Sequence, residues 1–255
     1  MVVSGNIGAG KSSLLGSVER EFIKRGIRAL VVSEPLDELR CFGPMQTNIL
    51  EAFYAGEMDA MSFQVAVFTV LTETYVLSRE RAERGRYQVL LFERSVYDAL
   101  FIFAKVLEKC GRLSSDQYAV LTRMMEALDM LVHFNVDVSV LLRAPVHVCL
   151  KRIQERGRPE EVEAINHHYL ADLTGAHDNA WRMWRLGGKR RIEMQAQAPL
   201  EVLAPEFVDR VMGLETVVED GPESANGGTE SDHNDGKPGA NDSVPFGETG
   251  SQATI

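Results

Sequence analysis

The 255-residue chain is 45% hydrophobic, 25% charged and 7% aromatic, the composition of a globular protein with one or two domains at roughly 150 residues each. Its 27 basic and 37 acidic residues give a formal charge of -10, yet Glu219 to Ile255 hold eight acidic residues against one lysine, Lys237, and so carry seven of those ten charges. The near-neutral body that remains does not suit a grip on nucleic-acid backbone. The apolar runs read as interrupted before the roughly 18 residues of a membrane span, and no signal or transit peptide fits ahead of the first motif at Gly5.

Cys41, Cys110 and Cys149 are widely spaced and form no CxxC pair, which suggests neither a disulfide framework nor a zinc site and favours a reducing, cytoplasmic setting. The acidic tail has seven glycines and only Val244, Phe246 and Ile255 as large apolar residues. That is too little apolar surface to offset the backbone entropy of folding. Residues 216–255 are therefore expected to be disordered and residues 1–215 to form one domain.

In chain order, Val2 and Val3 end a short strand, and a glycine-rich turn leads into a helix over 11–25 that Gly26 closes. A β-rich run follows at 29–33. The stretch 49–83 has apolar residues at helical spacing, with Gly56 as a break between two helices. Residues 87–92 and 136–142 are continuous apolar runs, the pattern of parallel strands covered on both faces. Helices over 96–109, 114–131 and 145–156 separate these strands. The last strand is expected at 199–203 and the last helix at 205–212. Repeated strand, crossover helix and strand predicts an α/β domain with a parallel sheet, whose ligands bind at the carboxyl ends of the strands.

Gly5-Asn6-Ile7-Gly8-Ala9-Gly10-Lys11-Ser12 matches GxxxxGK[ST] between a strand and a helix. The glycines let backbone N–H groups converge on phosphate oxygens at a helix N-terminus, Lys11 reaches the β and γ phosphates, and Ser12 holds Mg²⁺. A glycine turn by chance is the alternative, and eight matching positions in the right context argue against it. The loop alone indicates a nucleotide, not a reaction.

Other strand ends narrow the choice. Glu34, in Ser33-Glu34-Pro35, stands where a carboxylate can take the proton of an attacking hydroxyl. Phe92-Glu93-Arg94-Ser95 brings a second carboxylate and an arginine to the same edge. Glu93 can bind Mg²⁺ directly or through water, and Arg94 can neutralise charge near the transferred phosphoryl group, with a structural ion pair as the alternative. Farther on, Arg152 and Arg156 lie four apart on one helical face, and Gly157 allows a turn that brings Arg158 around. Opposite a phosphate loop, such arginines suggest a mobile lid.

In order and spacing, GNIGAGKSS, SEP, NILEAFY with SFQ, FERSVY and RIQERGRPEE, over about Val2 to Trp181, resemble the deoxynucleoside kinases. The resemblance implies a P-loop NTPase fold with a five-stranded parallel sheet flanked by helices and an arginine-rich lid. It implies ATP and Mg²⁺, with the phosphates on Gly5, Asn6, Ile7, Gly8, Ala9, Gly10, Lys11, Ser12 and Ser13 and the metal on Ser12 and Glu93. Glu34 becomes the general base for the nucleoside 5′-hydroxyl, with Arg94 beside it. Tyr54 and Glu161 match the pair that holds the 3′-hydroxyl, Gln64 the amide that pairs with the base edge, and Phe63 and Phe103 the flanking aromatics. Arg152, Arg156 and Arg158 match the lid arginines. A homodimer is also implied.

Val67, Leu71 and Ala99 match residues lining the far side of the base pocket. Deoxycytidine-type members carry an arginine and an aspartate at the last two places, so their absence looks more like thymidine kinase or broad-specificity members and suggests pyrimidine preference, with thymidine and deoxycytidine both accepted. Leu39, where the family often has tryptophan, and Leu100, where arginine is common, depart from the pattern. A thymidylate-type kinase is the nearest rival, but its charged acceptor calls for extra cations. A non-catalytic member of the fold would be free to lose Lys11, Glu34 or Arg94, and all three are present. The acidic tail could instead bind a basic partner, although such tails more often only solubilise.

Overall fold

A four-residue run buried at every position, Val2–Gly5, forms β1. In the computed structural model, which describes residues 1–183 and 185–213, β1 is the middle strand of a five-stranded sheet. The other strands are β2 (Ala29–Val32), β3 (Val89–Glu93), β4 (Val138–Arg143) and β5 (Arg190–Gln195). All pairs are parallel and the order is β2-β3-β1-β4-β5. Register sets the site: Val32 pairs with Phe92 and Phe92 with Val2. The residues that follow Val32, Phe92 and Ser4 therefore leave the sheet at one edge, and these include Glu34, Glu93 and the phosphate loop.

Helix α1 (Lys11–Lys24) packs against α11 (Leu200–Gly213) on one face of the sheet. There Leu14, Val18 and Phe22 meet Val140, Phe207 and Val208 in a core layer. The other face carries α4 (Ala60–Gly85), α7 (Ser115–Val132) and a helix in three parts: α5 (Val96–Asp98), a π-helical segment (Ala99–Ala104) and α6 (Lys105–Lys109). Short helices α2 (Leu36–Arg40) and α3 (Ile49–Tyr54) follow β2. Helices α8 (Val146–Arg156), α9 (Pro159–Val162) and α10 (His167–Arg182) follow β4.

The architecture agrees with the expected α/β sheet, but two expectations at its end are overturned. Residues 199–203 are not a strand: Leu200 begins α11, and Pro205 lies inside that helix rather than at its start. The fifth strand is Arg190–Gln195. Its charged sequence hid it, because an edge strand needs to bury only alternate residues, here Ile192 and Met194. Helix α4 has about the length the sequence reading gave it after Gly56 but is more apolar than that reading allowed, with the length and hydropathy of a membrane span. It contributes Phe63, Ala66, Phe68 and Val70 to the core. The acidic segment 216–255 lies outside the described residues.

Candidate active site

The phosphate loop enters α1 without a side-chain cap. Gly10 occupies the N-cap at φ 97°, so the first N–H groups of the helix stay free for an anion. Gly8, at φ 76°, passes so close to α8 that a Cβ there would meet the Cys149 carbonyl oxygen at 2.5 Å. The loop borders a cavity of about 800 Å³ that also takes in Glu34, Tyr54, Phe63, Gln64, Val67, Glu93, Arg94, Phe103 and Glu161, together with Arg152, Arg156 and Arg158.

Lys11 is buried, and its Nζ donates to the carbonyls of Gly5 at 3.2 Å and Asn6 at 3.1 Å. Burial, reinforced by Arg94, lowers its pKa to about 8, although Glu93 lies 3.9 Å away and pulls the other way. The Ser12 hydroxyl donates to Glu93 Oε1 at 2.9 Å, so two oxygen donors stand together beside the loop. Mg²⁺ takes one or two protein oxygens and completes its shell with phosphate and water, and this pair fits that requirement.

At the neighbouring strand ends, Arg94 Nε lies 2.8 Å from Glu34 Oε1, and Nη1 donates to the Gly5 carbonyl at 3.2 Å. Burial would raise the pKa of Glu34, but Arg94 and Lys11 outweigh it and hold the carboxyl below its usual range. Glu34 is thus ionised at neutral pH, the state a proton acceptor needs. Arg94 adopts φ 69°, a left-handed conformation uncommon outside glycine, and its guanidinium stacks over Phe103 at 4.6 Å. Burial raises the Tyr54 phenol well above its ordinary pKa, so it stays a neutral donor.

Residues 1–203 match a family model described as deoxynucleoside kinase. The chain belongs to that family. Its relatives are kinases that act on nucleosides and use ATP as donor. Among them, a probable deoxycytidine kinase of Fowlpox virus is 27% identical over 69% of this chain and 68% of its own. Mitochondrial thymidine kinase 2 of Homo sapiens is 28% identical over 83% and 73%. The solved structure of deoxyadenosine kinase from M. mycoides with bound dCTP matches in fold, with a TM-score of 0.65 at 17% identity over 84% of this chain and all of that one.

Within this kinase, the structure brings the expected residues to one cavity except Gly5, Asn6, Leu71 and Ala99, which are not part of its lining. Asn6 turns its side chain away from the phosphate site, donating to Leu170 O and Thr174 Oγ1 of α10 at 2.9 Å each. Leu71 and Ala99 line a smaller recess behind the main cavity, which Val67 and Phe103 share with it. Leu39 lines the main cavity, while Leu100 is fully buried in the core. Arg152 donates to Ala9 O at 2.9 Å and Ala196 O at 3.1 Å, which ties the phosphate loop to the segment after β5.

The other two arginines are engaged differently. Arg156 pairs with one oxygen of Glu161, and Arg158 reaches the other at 3.0 Å. Next to them, Arg40 of α2 holds Glu160 at 2.7 Å.

Sequence reasoning missed Phe53 and Tyr169, both of which line the cavity. Phe53 stacks face to face on Phe63 with centroids 4.0 Å apart, and Arg112 lies over its far side at 4.2 Å. The signal for Phe53 was its place beside Tyr54 in NILEAFY. Tyr169, with a phenol that burial pushes to about 12, arrives from α10, which carried no motif.

Proposed function

We propose that this kinase transfers the γ-phosphoryl group of ATP·Mg²⁺ to the 5′-hydroxyl of a deoxynucleoside, with pyrimidine preference. The observation that carries the reading is the ionised Glu34 beside Arg94 at the mouth of the phosphate loop, in a cavity that also presents Phe53, Phe63, Phe103 and Gln64. Glu34 accepts the hydroxyl proton as the oxygen attacks, and Arg94 steadies the negative charge that develops there. Tyr54 and Glu161 hold the 3′-hydroxyl. Phe63 and Phe103 flank the base, and Gln64, buried with an unpartnered Oε1, presents its amide to the base edge.

Backbone N–H groups at Gly8 to Ser13 and the Lys11 ammonium bind the phosphates. Ser12 and Glu93 hold Mg²⁺, which neutralises phosphate charge when bound. Arg156 and Arg158 serve as the lid, exchanging Glu161 for phosphate oxygens, while Arg152 secures the loop from behind. Val67, with Leu71 and Ala99 behind it, gives an uncharged pocket that supports acceptance of both thymidine and deoxycytidine. Exposed Leu77, Val120 and Leu131 on α4 and α7 support the homodimer, and three free thiols suit a cytoplasmic setting.

A phosphoryl-transfer assay against the four deoxynucleosides and thymidine monophosphate tests the reading. Turnover of thymidine or deoxycytidine without the monophosphate is expected. Turnover of the monophosphate alone would replace the proposal with a thymidylate-type kinase, and ATP binding without turnover would replace it with a non-catalytic member of the fold.

A further inference from the structure

One buried charge has no part in the mechanism above. Asp98 is completely buried, four residues after Arg94 at the end of α5. Its Oδ2 accepts from the Ser95 N–H at 2.9 Å and from the Ser95 hydroxyl at 2.8 Å, and the Asp98 N–H returns to Ser95 Oγ at 3.4 Å. This reciprocal cap closes the turn that immediately follows the left-handed Arg94. A cap needs only one oxygen. The other, Oδ1, has no hydrogen-bond partner and is shielded from water, while Ser4 stands beside the carboxylate and Arg94 and Lys11 attract it.

Placement of charge explains why an acid occupies this position. Arg94 is 5% exposed, and its counterion is Glu34. When Glu34 turns to the substrate hydroxyl, Arg94 loses that partner, and an unpaired buried cation is costly. Asp98 places a second acidic group, fully buried, near enough to Arg94 for the two to attract, where no substrate can displace it. Burial pushes the Asp98 carboxyl up, and the attraction of Arg94 offsets part of that rise.

We propose that Asp98 is a positioning residue for phosphoryl transfer: it clamps the turn behind Arg94 and balances the guanidinium charge while Glu34 is engaged with the hydroxyl. The inference rests on Glu34 acting as base, and the two can fail separately. An active parent enzyme whose Glu34→Gln variant keeps full turnover removes the base, and with it this role. A normal Glu34 result with a silent Asp98 removes only this role.

Asp98→Asn keeps an acceptor for Ser95 and loses the charge, whereas Ser95→Ala weakens the cap and keeps the charge. For Asp98→Asn, kcat is expected to fall roughly tenfold to a hundredfold, the scale of a misplaced catalytic group, with nucleoside KM changed by less than about threefold. Ser95→Ala, which keeps the Asp98 carboxyl and its bond from the Ser95 N–H, is expected to lower the melting temperature and to reduce kcat clearly less than Asp98→Asn does. Combined with Glu34→Gln, Asp98→Asn is expected to add little further loss, because the partner exchange it supports is already gone. Parental kcat in Asp98→Asn, an equal kcat loss in Ser95→Ala, or full additivity with Glu34→Gln would each overturn the proposal. If Asp98→Asn does not fold, Asp98→Ser, which keeps a short acceptor for the Ser95 N–H, is read by the same criteria.

Discussion

Two groups of charges face the same cavity and are held by different means. At the sheet edge, Lys11, Glu93 and Arg94 are each 5% exposed and are placed by strand register and backbone carbonyls. On the segment joining α8 to α9, the Arg156 and Arg158 side chains are 34% and 29% exposed and are held by one carboxylate, Glu161. The first group is built into the fold and cannot move without disturbing the sheet. The second is fastened by ion pairs to one buried carboxylate, so it can exchange partners where a phosphate takes the arginines and another donor takes Glu161. In the proposed mechanism, chemistry therefore belongs to the rigid edge and closure to the exchangeable segment.

The largest expected break in this comparison comes from Glu34→Gln. Losing the proton acceptor should cut kcat by about 10²–10⁴ while nucleoside affinity, measured by calorimetry, stays within a few-fold; equal turnover would remove Glu34 from the base role. Arg158→Ala should lower turnover by roughly tenfold to a hundredfold, below the scale of an arginine finger, and leave the melting temperature nearly unchanged. A large drop in melting temperature would show that the exchangeable segment is structural after all.

The two groups should also respond to different solution conditions. Lys11, held near 8 by burial, loses its charge as pH rises through that value. Its ammonium attracts ATP, so ATP affinity should fall on the alkaline side of about pH 8 and be retained below it, which equilibrium binding across pH would show. Arginines stay charged throughout that range. Their contribution should instead weaken with added salt. The smallest expected effect is that of ending the chain at Glu215: the family match stops at residue 203, and steady-state kinetics should be unchanged.

What could be read in the sequence follows the same division. Lys11, Ser12, Glu34, Glu93 and Arg94 were legible because each sits within one or two residues of a strand end or helix start, so local sequence states its position. Tyr169 across from Tyr54 depends on packing between elements far apart in the chain, which no local pattern encodes, whereas Phe53 and Asp98 are near Phe63 and Arg94 in the chain but match no phosphate-binding or catalytic motif. The fifth strand was misplaced for a related reason. RRIEMQ carries an apolar residue only at alternate positions, and Leu200 and Leu203, which suggested a strand, prove to be three apart on one helical face. Asn6 belongs to a matching motif yet serves α10, because a match fixes the backbone path and leaves the side chain free to find another partner.

The π-helical segment Ala99–Ala104 bears on how this enzyme can change over evolutionary time. A wide turn of this kind accommodates one more residue than an α-helical turn would. Within it, Ile102 and Ala104 face the core while Phe103 lies beneath Arg94. Deleting one residue there would relax the wide turn to α-helical spacing and leave the helix after it nearly in register, but would remove the bulge that sets Phe103 beneath the guanidinium. A one-residue change in length is thus absorbed by the helix as a whole and felt at the site.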